Sequence, residues 1–123
     1  VLVVEDSADA SEMLHVVLAD AGARVRMATD YASAVQAAEE SWPQVLVSDV
    51  GLPGRDGYEL VRELRSVAAA VPGRQLRAIA LTAFSREQDR DRALAAGFDM
   101  HLGKPLQPHR LIAAIVELVG QRR

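Results

Sequence analysis

The sequence predicts a doubly wound α/β fold, in which one parallel sheet is covered by helices on both faces. Short apolar runs alternate five times with longer segments whose apolar residues recur at helical spacing. Such alternation requires right-handed crossovers, and these produce a parallel sheet with helices on both sides. The chain has 123 residues, 50% of them hydrophobic. This length suits one domain, which we expect to span residues 1–123.

Each predicted strand is an apolar run that ends at a polar residue or a turn signal. The third is the clearest, because its Val and Leu residues run into Ser48-Asp49 and are followed by Pro53, Gly54 and Gly57. The strands are expected at 1–4, 24–28, 45–49, 78–81 and 99–103, with the fourth ending at Thr82.

Four of the helices are predicted from stripes of apolar residues three and four positions apart. The first runs from Asp9 to a stop at Gly22, the second ends before Pro43, the third closes at Pro72-Gly73, and the last has Pro108 in its first turn. The stripes are Ala10, Met13, Leu14, Val17, Leu18 and Ala21; Tyr31, Ala34, Val35 and Ala38; Leu60, Val61, Leu64, Val67 and Ala68; and Leu111, Ile112, Ile115, Val116 and Val119.

The remaining helix, fourth in order, has an unusually polar sequence. The segment from Ser85 to Arg92 is almost wholly polar, and only Ala93, Leu94 and Ala96 offer an apolar face before a glycine stop. We therefore expect a poorly buried helix. Its charge favours a solvated face, and the alternative is a surface that shifts against a partner.

The composition excludes several classes of protein. The chain has no cysteine, which excludes disulfides and thiolate metal sites and favours the cytoplasm. A net charge of −3 without a Lys/Arg cluster argues against direct nucleic-acid binding. No apolar run reaches the roughly 18–20 residues that cross a bilayer, and no signal peptide precedes the first strand. Because the chain opens in a strand without methionine, we expect it to be cut from a longer chain or stripped of tails.

Polar residues fall at the ends of four predicted strands. Glu5 and Asp6 follow the first, Asp49 ends the third, Thr82 ends the fourth and Lys104 follows the fifth. The carboxyl ends of parallel strands share one edge, so we expect these side chains around a single pocket. Three carboxylates near one ammonium raise one another's pKa values unless a further cation compensates. Oxygen donors without His or Cys favour Mg²⁺ as that cation.

Asp49 is the central residue of this set. Alone, an Asp at a strand end often starts a turn or caps a helix. A metal, an ammonium and a hydroxyl, however, are the groups that bind the oxygens of a phosphoryl group during transfer. A carboxylate among them can be the nucleophile and form an aspartyl phosphate. The constellation therefore favours a functional Asp49.

Four short motifs occupy these strand ends in a specific order: Val-Val-Glu-Asp at 3–6, Ser-Asp-Val-Gly-Leu-Pro-Gly-Arg-Asp-Gly at 48–57, Leu-Thr-Ala at 81–83 and Gly-Lys-Pro at 103–105. With them the sequence resembles the receiver domains of two-component response regulators over essentially its whole length. The resemblance implies a flavodoxin-like strand order 2-1-3-4-5. It also implies no metabolic activity beyond phosphorylation and dephosphorylation of the domain's own Asp. The segments 49–54, 81–85 and 98–102 are most similar to receivers fused to hybrid sensor histidine kinases.

The resemblance also implies roles for the acidic residues. Asp49 would accept a phosphoryl group from the phosphohistidine of a histidine kinase or a histidine phosphotransfer protein. Mg²⁺, or Mn²⁺ in its place, would be held by Asp6, Asp49 and the backbone carbonyl of Gly51, with Glu5 helping through water.

The same resemblance implies how phosphorylation is sensed. Thr82 and Lys104 would bind the phosphoryl oxygens, and the Lys104-Pro105 peptide bond is expected to be cis. Receivers couple phosphorylation to a shift of the threonine loop and rotation of an aromatic residue three positions before the lysine. This chain has His101 there, either a weakly pH-sensitive switch or a partly buried, hydrogen-bonded strand residue. The signal is expected to leave through the face of the fourth helix, fifth strand and fifth helix, including the turn at 84–87.

Two other functions use similar residues. An aspartyl-phosphate phosphatase or phosphotransferase also has a strand-end Asp with Mg²⁺, but usually carries a second Asp two residues later, where this chain has Gly51. A flavin- or nucleotide-binding module on this fold would have a Gly-rich phosphate loop after the first strand. Here Glu5 and Asp6 would repel a phosphate in the absence of a metal.

Overall fold

A computed structural model describes residues 1–83 and 87–120, and in these ranges five strands alternate with five helices. The strands are Leu2–Val4 (β1), Arg26–Ala28 (β2), Val45–Asp49 (β3), Arg77–Thr82 (β4) and Met100–Gly103 (β5). The helices are Ala8–Asp20 (α1), Tyr31–Glu40 (α2), Gly57–Ala69 (α3), Glu87–Ala96 (α4) and Pro108–Gly120 (α5). All strand pairs are parallel, in the order β2-β1-β3-β4-β5. The predicted fold class and strand order are confirmed.

Each face of the sheet has its own hydrophobic core. One core joins alternate residues of β1, β3 and β4 to apolar residues of α2, α3 and α4, and the other joins the intervening strand residues to α1 and α5. Val3 and Val4, adjacent on β1, belong to different cores because successive strand residues point to opposite faces. This burial on both faces explains why the strands are apolar at nearly every position.

Four residues that were predicted to be buried are exposed: Met13 and Ala21 at α1, Leu94 in α4 and Val116 in α5. On α5 the buried residues are Leu111, Ala114 and Leu118, and Val116 is 64% exposed. The predicted stripes were too wide, because a helix lying on a sheet buries only the strip along its line of contact. Apolar residues at the margin of that strip stay in solvent.

The polar fourth helix is confirmed as thinly buried, since only Ala93 and Ala96 of α4 are buried. Its predicted beginning at Ser85, and residues 84–86 of the predicted turn, lie outside the described residues. No helix in residues 1–83 and 87–120 combines the length and apolarity needed to cross a membrane.

Candidate functional site

The carboxyl edge of the sheet brings acidic and basic side chains from distant parts of the chain together. Lys104, which directly follows β5, places Nζ 2.9 Å from Oδ2 of Asp49 at the end of β3. The same Nζ lies 3.2 Å from Oε1 of Glu5, which directly follows β1. Of the four strand ends that were predicted to meet at one pocket, those of β1, β3 and β5 are therefore joined by direct contacts.

Three carboxylates form the acidic part of the site. Glu5, Asp6 and Asp49 each contribute an oxygen, and these oxygens lie within 4.8 Å of one another. Glu5 and Asp49 are buried, whereas Asp6 is exposed. The cluster is thus anchored in the protein and opens to solvent at Asp6.

The pKa values of one acid, Glu5, and one base, Lys104, are both raised in this site. Burial, reinforced by the Asp49 charge, raises the pKa of Glu5 against the opposing effects of the Ser7 N–H and Lys104. Burial also disfavours the charged form of Lys104, but the hydrogen bond and charge of Asp49, with those of Glu5, outweigh it and raise the pKa of Lys104. Lys104 therefore stays protonated beside these acids.

The loop between β3 and α3 fixes the position of Asp49. The Gly51 N–H donates to Oδ1 of Asp49 at 3.0 Å, and the Gly57 N–H donates to the Val50 carbonyl at 3.0 Å. Asp56 caps α3 by accepting from a backbone N–H of its first turn. A Cβ at Gly57 would lie 2.4 Å from the Asp49 carbonyl oxygen, so the start of α3 lies directly against the backbone of Asp49.

The donor set fits a hard divalent cation. All three carboxylates supply oxygen, the ligand that Mg²⁺ and Mn²⁺ prefer, and the single ammonium leaves negative charge to be compensated. Gly51, the fourth predicted contributor, lies beside the Asp49 carboxylate.

Thr82 and His101 form a second polar contact on the neighbouring strands. Thr82 Oγ1 lies 2.6 Å from Nε2 of His101. His101 is partly buried and hydrogen-bonded, as one of its two interpretations predicted, but its partner Thr82 was not predicted. Strand register is the signal that would have found it: Ala80 pairs with His101 and Thr82 with Gly103, so Thr82 and His101 are diagonal neighbours on one face. The Lys104-Pro105 bond is cis, as expected.

An apolar cavity beside the acidic cluster was not anticipated. It has a volume of about 370 Å³ and reaches Glu5 and Lys104. Its remaining lining comes from α1 and the segment after β5: Asp9, Ala10, Met13, Leu14, Pro105 and Leu106, with Leu81 of β4.

Comparison with known proteins identifies the family of this chain. Residues 1–116 match the response regulator receiver domain. The chain is 42% identical over 115 residues to an uncharacterized 14.6 kDa protein of Leptolyngbya boryana, covering 94% of this chain and 86% of that protein. It is 37% identical over 115 residues to the phosphate regulon transcriptional regulatory protein PhoB of Escherichia coli, covering 94% of this chain but 49% of PhoB.

The solved structures agree. The chemotaxis response regulator CheY4 of Vibrio cholerae superimposes with a TM-score of 0.84 at 27% identity, covering 95% of each chain. Receiver domains of this kind are phosphoacceptors that bind Mg²⁺ at an acidic pocket and work with histidine kinases. The chain therefore belongs to the receiver domain family of two-component response regulators.

Proposed function

We propose that Asp49 is the phosphoacceptor of this receiver domain. The contact that carries the proposal is the 2.9 Å pairing of Lys104 Nζ with the Asp49 carboxylate inside a cluster of three acids. It places a fixed positive charge beside the carboxylate where a phosphoryl group would arrive. Charge neutralisation and positioning are what phosphoryl transfer requires from a protein.

In the proposed reaction an Asp49 carboxylate oxygen forms a bond to phosphorus while the P–N bond of a phosphohistidine breaks. The electron pair of that bond stays on the imidazole nitrogen, which takes a proton from solvent. Lys104 binds a phosphoryl oxygen through its ammonium, and Thr82 donates its hydroxyl proton to another. The Gly51 N–H, which now donates to Oδ1 of Asp49, orients the nucleophile.

Asp6, Asp49 and the Gly51 carbonyl would hold Mg²⁺ or Mn²⁺, with Glu5 assisting through water. The metal would neutralise charge on the phosphoryl oxygens. The exposure of Asp6, beside two buried acids, supports an ion that enters from solvent.

The phosphohistidine donor is proposed to be a histidine kinase or a histidine phosphotransfer protein. The apolar cavity beside Lys104 supports this, because it offers an apolar contact next to the reacting carboxylate. Met13 lines the cavity and is 42% exposed. A cytoplasmic location and a single domain extending over residues 1–123 belong to the same proposal.

PhoB extends well beyond the part that matches this chain. The chain spans about half of PhoB, so attached domains are part of the proposal. Because the sequence resembles receivers fused to hybrid sensor histidine kinases, we propose that this domain is part of such a kinase. Its output would leave through the face of α4, β5 and α5.

Intact mass after incubation with a small acyl phosphate and Mg²⁺ tests the assignment of Asp49. We expect one phosphoryl adduct that disappears in Asp49→Asn and when the metal is chelated. Asp20→Asn, an exposed acid at the end of α1, is the matched control and should keep the adduct. An adduct that survives in Asp49→Asn would contradict the assignment. Turnover of phosphate monoesters would favour the phosphatase alternative instead.

A further inference from the structure

The loop between β3 and α3 has a buried inner side and an exposed outer side. Leu52 is 5% exposed and packs in the core that α2 and α3 cover. Gly51, Pro53 and Gly54 are exposed, and Gly54 has a φ of 72°, a conformation that favours glycine. The outer side of the loop thus offers few side chains that could fix its path.

Arg55 connects this outer side to two helices. Its Nε donates to Oε2 of Glu59, in the first turn of α3, at 3.1 Å. Its Cζ lies 4.0 Å from the centroid of the ring of Tyr31, the first residue of α2. A guanidinium over an aromatic ring is attracted by the negative face of that ring. The Arg55 side chain therefore joins the loop to α2 as well as to its own helix.

The partners of Arg55 are themselves held in place. The Glu59 carboxylate that accepts from Arg55 also accepts the Asp56 N–H, as part of the capping box of α3. The ring of Tyr31 is partly buried and packs against the core. Arg55 thus contacts two groups whose positions the fold already determines.

The path of this loop matters to the site because Gly51 acts there through its backbone. Its N–H donates to Oδ1 of Asp49 at 3.0 Å, and its carbonyl is a proposed ligand of the metal. A backbone ligand has no side-chain rotamer to adjust, so its position follows the path of the loop. A loop that must be ordered when the metal binds lowers the affinity, whereas a contact that orders it beforehand removes this cost.

We propose that Tyr31 and Arg55 form a clamp on the β3–α3 loop that orders Gly51 for the metal. Arg55 is then a positioning residue that acts through the loop backbone, and Tyr31 is the surface on which it rests. The inference rests on the proposed function, which supplies the metal and the role of the Gly51 carbonyl.

Charge and position act in opposite directions at Arg55. Its guanidinium repels a divalent cation, so its charge alone predicts stronger metal binding when Arg55 is removed. The clamp predicts weaker metal binding when Tyr31 loses its ring, a change that leaves every charge in place. Variants of Tyr31 therefore separate the two effects.

Titration of Mn²⁺ by electron paramagnetic resonance tests the clamp in Tyr31→Leu, which keeps an apolar side chain against the core but has no ring. We expect the affinity to fall about two- to fivefold, the size of one exposed cation–π contact. Tyr31→Phe, which keeps the ring, should bind Mn²⁺ like the unmodified protein. An undiminished affinity in Tyr31→Leu, or an equal loss in Tyr31→Phe, would overturn the clamp.

The chain offers a matched control at the other edge of the sheet. Cζ of Arg74, which precedes β4, lies 4.6 Å from the centroid of the Trp42 ring, which precedes β3. Trp42→Leu removes the same kind of contact and should leave the Mn²⁺ affinity unchanged, even where it lowers stability. An equal loss of affinity in Trp42→Leu and Tyr31→Leu would mean that general destabilisation is the cause, and would overturn the clamp.

A double-mutant cycle tests the pairing itself. In an Arg55→Ala background, Tyr31→Leu should change the Mn²⁺ affinity no further, because the ring no longer has a guanidinium to hold. The charge of Arg55 and its bond to Glu59 are absent from both arms of that comparison. Equal effects of Tyr31→Leu in the two backgrounds would overturn the clamp. If Tyr31→Leu does not fold, by thermal melting, Tyr31→Met takes its place in the same cycle.

Amide hydrogen exchange in EDTA measures the order of the loop without any metal. The amides of residues 51–55 should exchange about two- to fivefold faster in Tyr31→Leu than in the unmodified protein. Those of residues 71–76, in the loop between α3 and β4, should be unchanged. Unchanged exchange at 51–55 would overturn the clamp.

The two levels of the proposal fail differently. If the unmodified protein binds no Mn²⁺, the metal site of the proposed function is overturned, and the role of the clamp with it. If the unmodified protein binds Mn²⁺ and Tyr31→Leu binds it equally well, only the clamp is overturned.

Discussion

Lys104 Nζ lies 2.9 Å from Asp49 Oδ2, which joins two residues 55 positions apart in the chain. Lys104 is also the only lysine of the sequence. Its ammonium lies at the acidic cluster, where the metal is proposed to bind as a second cation. The two cations must repel one another, and this repulsion leads to a test.

Replacing Lys104 with Met should strengthen metal binding while weakening phosphorylation. The ammonium is about one-third exposed, so its repulsion of a divalent ion is screened to roughly 1 kcal/mol, or about a fivefold change in affinity. Titration of Mn²⁺ by electron paramagnetic resonance measures the affinity. Arg62→Met, on the exposed side of α3, removes the same charge and should leave the affinity unchanged. Weaker Mn²⁺ binding in Lys104→Met would show that the ammonium supports the metal site.

Glu5 predicts a dependence of stability on pH. Burial raises its pKa above the ordinary 4.5, so the folded protein binds this proton more tightly than the unfolded chain does. The resulting stabilisation is complete below about pH 4.5 and is lost as the pH rises through the raised value. Glu5→Gln lacks this titration. As the pH rises above about 4.5, its free energy of unfolding should therefore increase relative to that of the unmodified protein.

Urea unfolding in EDTA between about pH 4.5 and 7 measures this gain, with the metal removed because it would favour ionised Glu5. Only the change with pH is diagnostic, since Gln also alters the contacts to Ser7 and Lys104 at every pH. Glu12→Gln, exposed on α1, is the matched control. A free energy of unfolding of Glu5→Gln that falls relative to that of the unmodified protein as the pH rises would contradict the prediction.

The fold and much of the site were predictable because polar residues interrupt apolar runs where strands end. Glu5, Asp49 and Lys104 each follow or end such a run, and parallel strands bring their carboxyl ends to one edge. That geometry holds without knowledge of any side-chain conformation. The strand order, by contrast, came from the resemblance to receiver domains.

The contacts that depend on register or on fine packing were not predictable. The pairing of Thr82 with His101 depends on the alignment of β4 with β5, and a shift by one residue would place His101 on the other face. The exposure of Val116 depends on how α5 is rotated against the sheet. Neither quantity is encoded in the local pattern of apolar residues.

Gly57 should be intolerant of any side chain. A Cβ there would lie 2.4 Å from the Asp49 carbonyl oxygen and 2.7 Å from Cα of Val50, both of them backbone atoms that no rotamer change can move. We expect Gly57→Ala to lower the free energy of unfolding by roughly 1–3 kcal/mol, as overpacking does. Gly120→Ala, where a Cβ would meet nothing within 4 Å, is the control for a glycine in a helix. Equal stabilities of the two variants, by urea unfolding, would contradict this.

The guanidinium of Arg65 in α3 donates hydrogen bonds to residues that precede β4 and β5. It donates to the carbonyls of Gly97 and Leu76 and to Oδ2 of Asp99 at 2.9 Å. Asp99 Oδ2 also accepts the Ala78 N–H at 2.8 Å, which connects the same group to β4. One side chain therefore links α3 to the residue before β4 and to the segment between α4 and β5.

Arg65→Lys should destabilise the protein although it keeps the charge. One ammonium on a flexible stem cannot reproduce the planar set of donors that reaches both carbonyls and the carboxylate. We expect a loss of roughly 1–3 kcal/mol in urea unfolding, since at least one carbonyl is left without a donor. Arg62→Lys, exposed on the same helix, should change stability little. A loss in Arg65→Lys no larger than that in Arg62→Lys would contradict the prediction. It would mean that Arg65 contributes through its charge alone, because Lys preserves that charge.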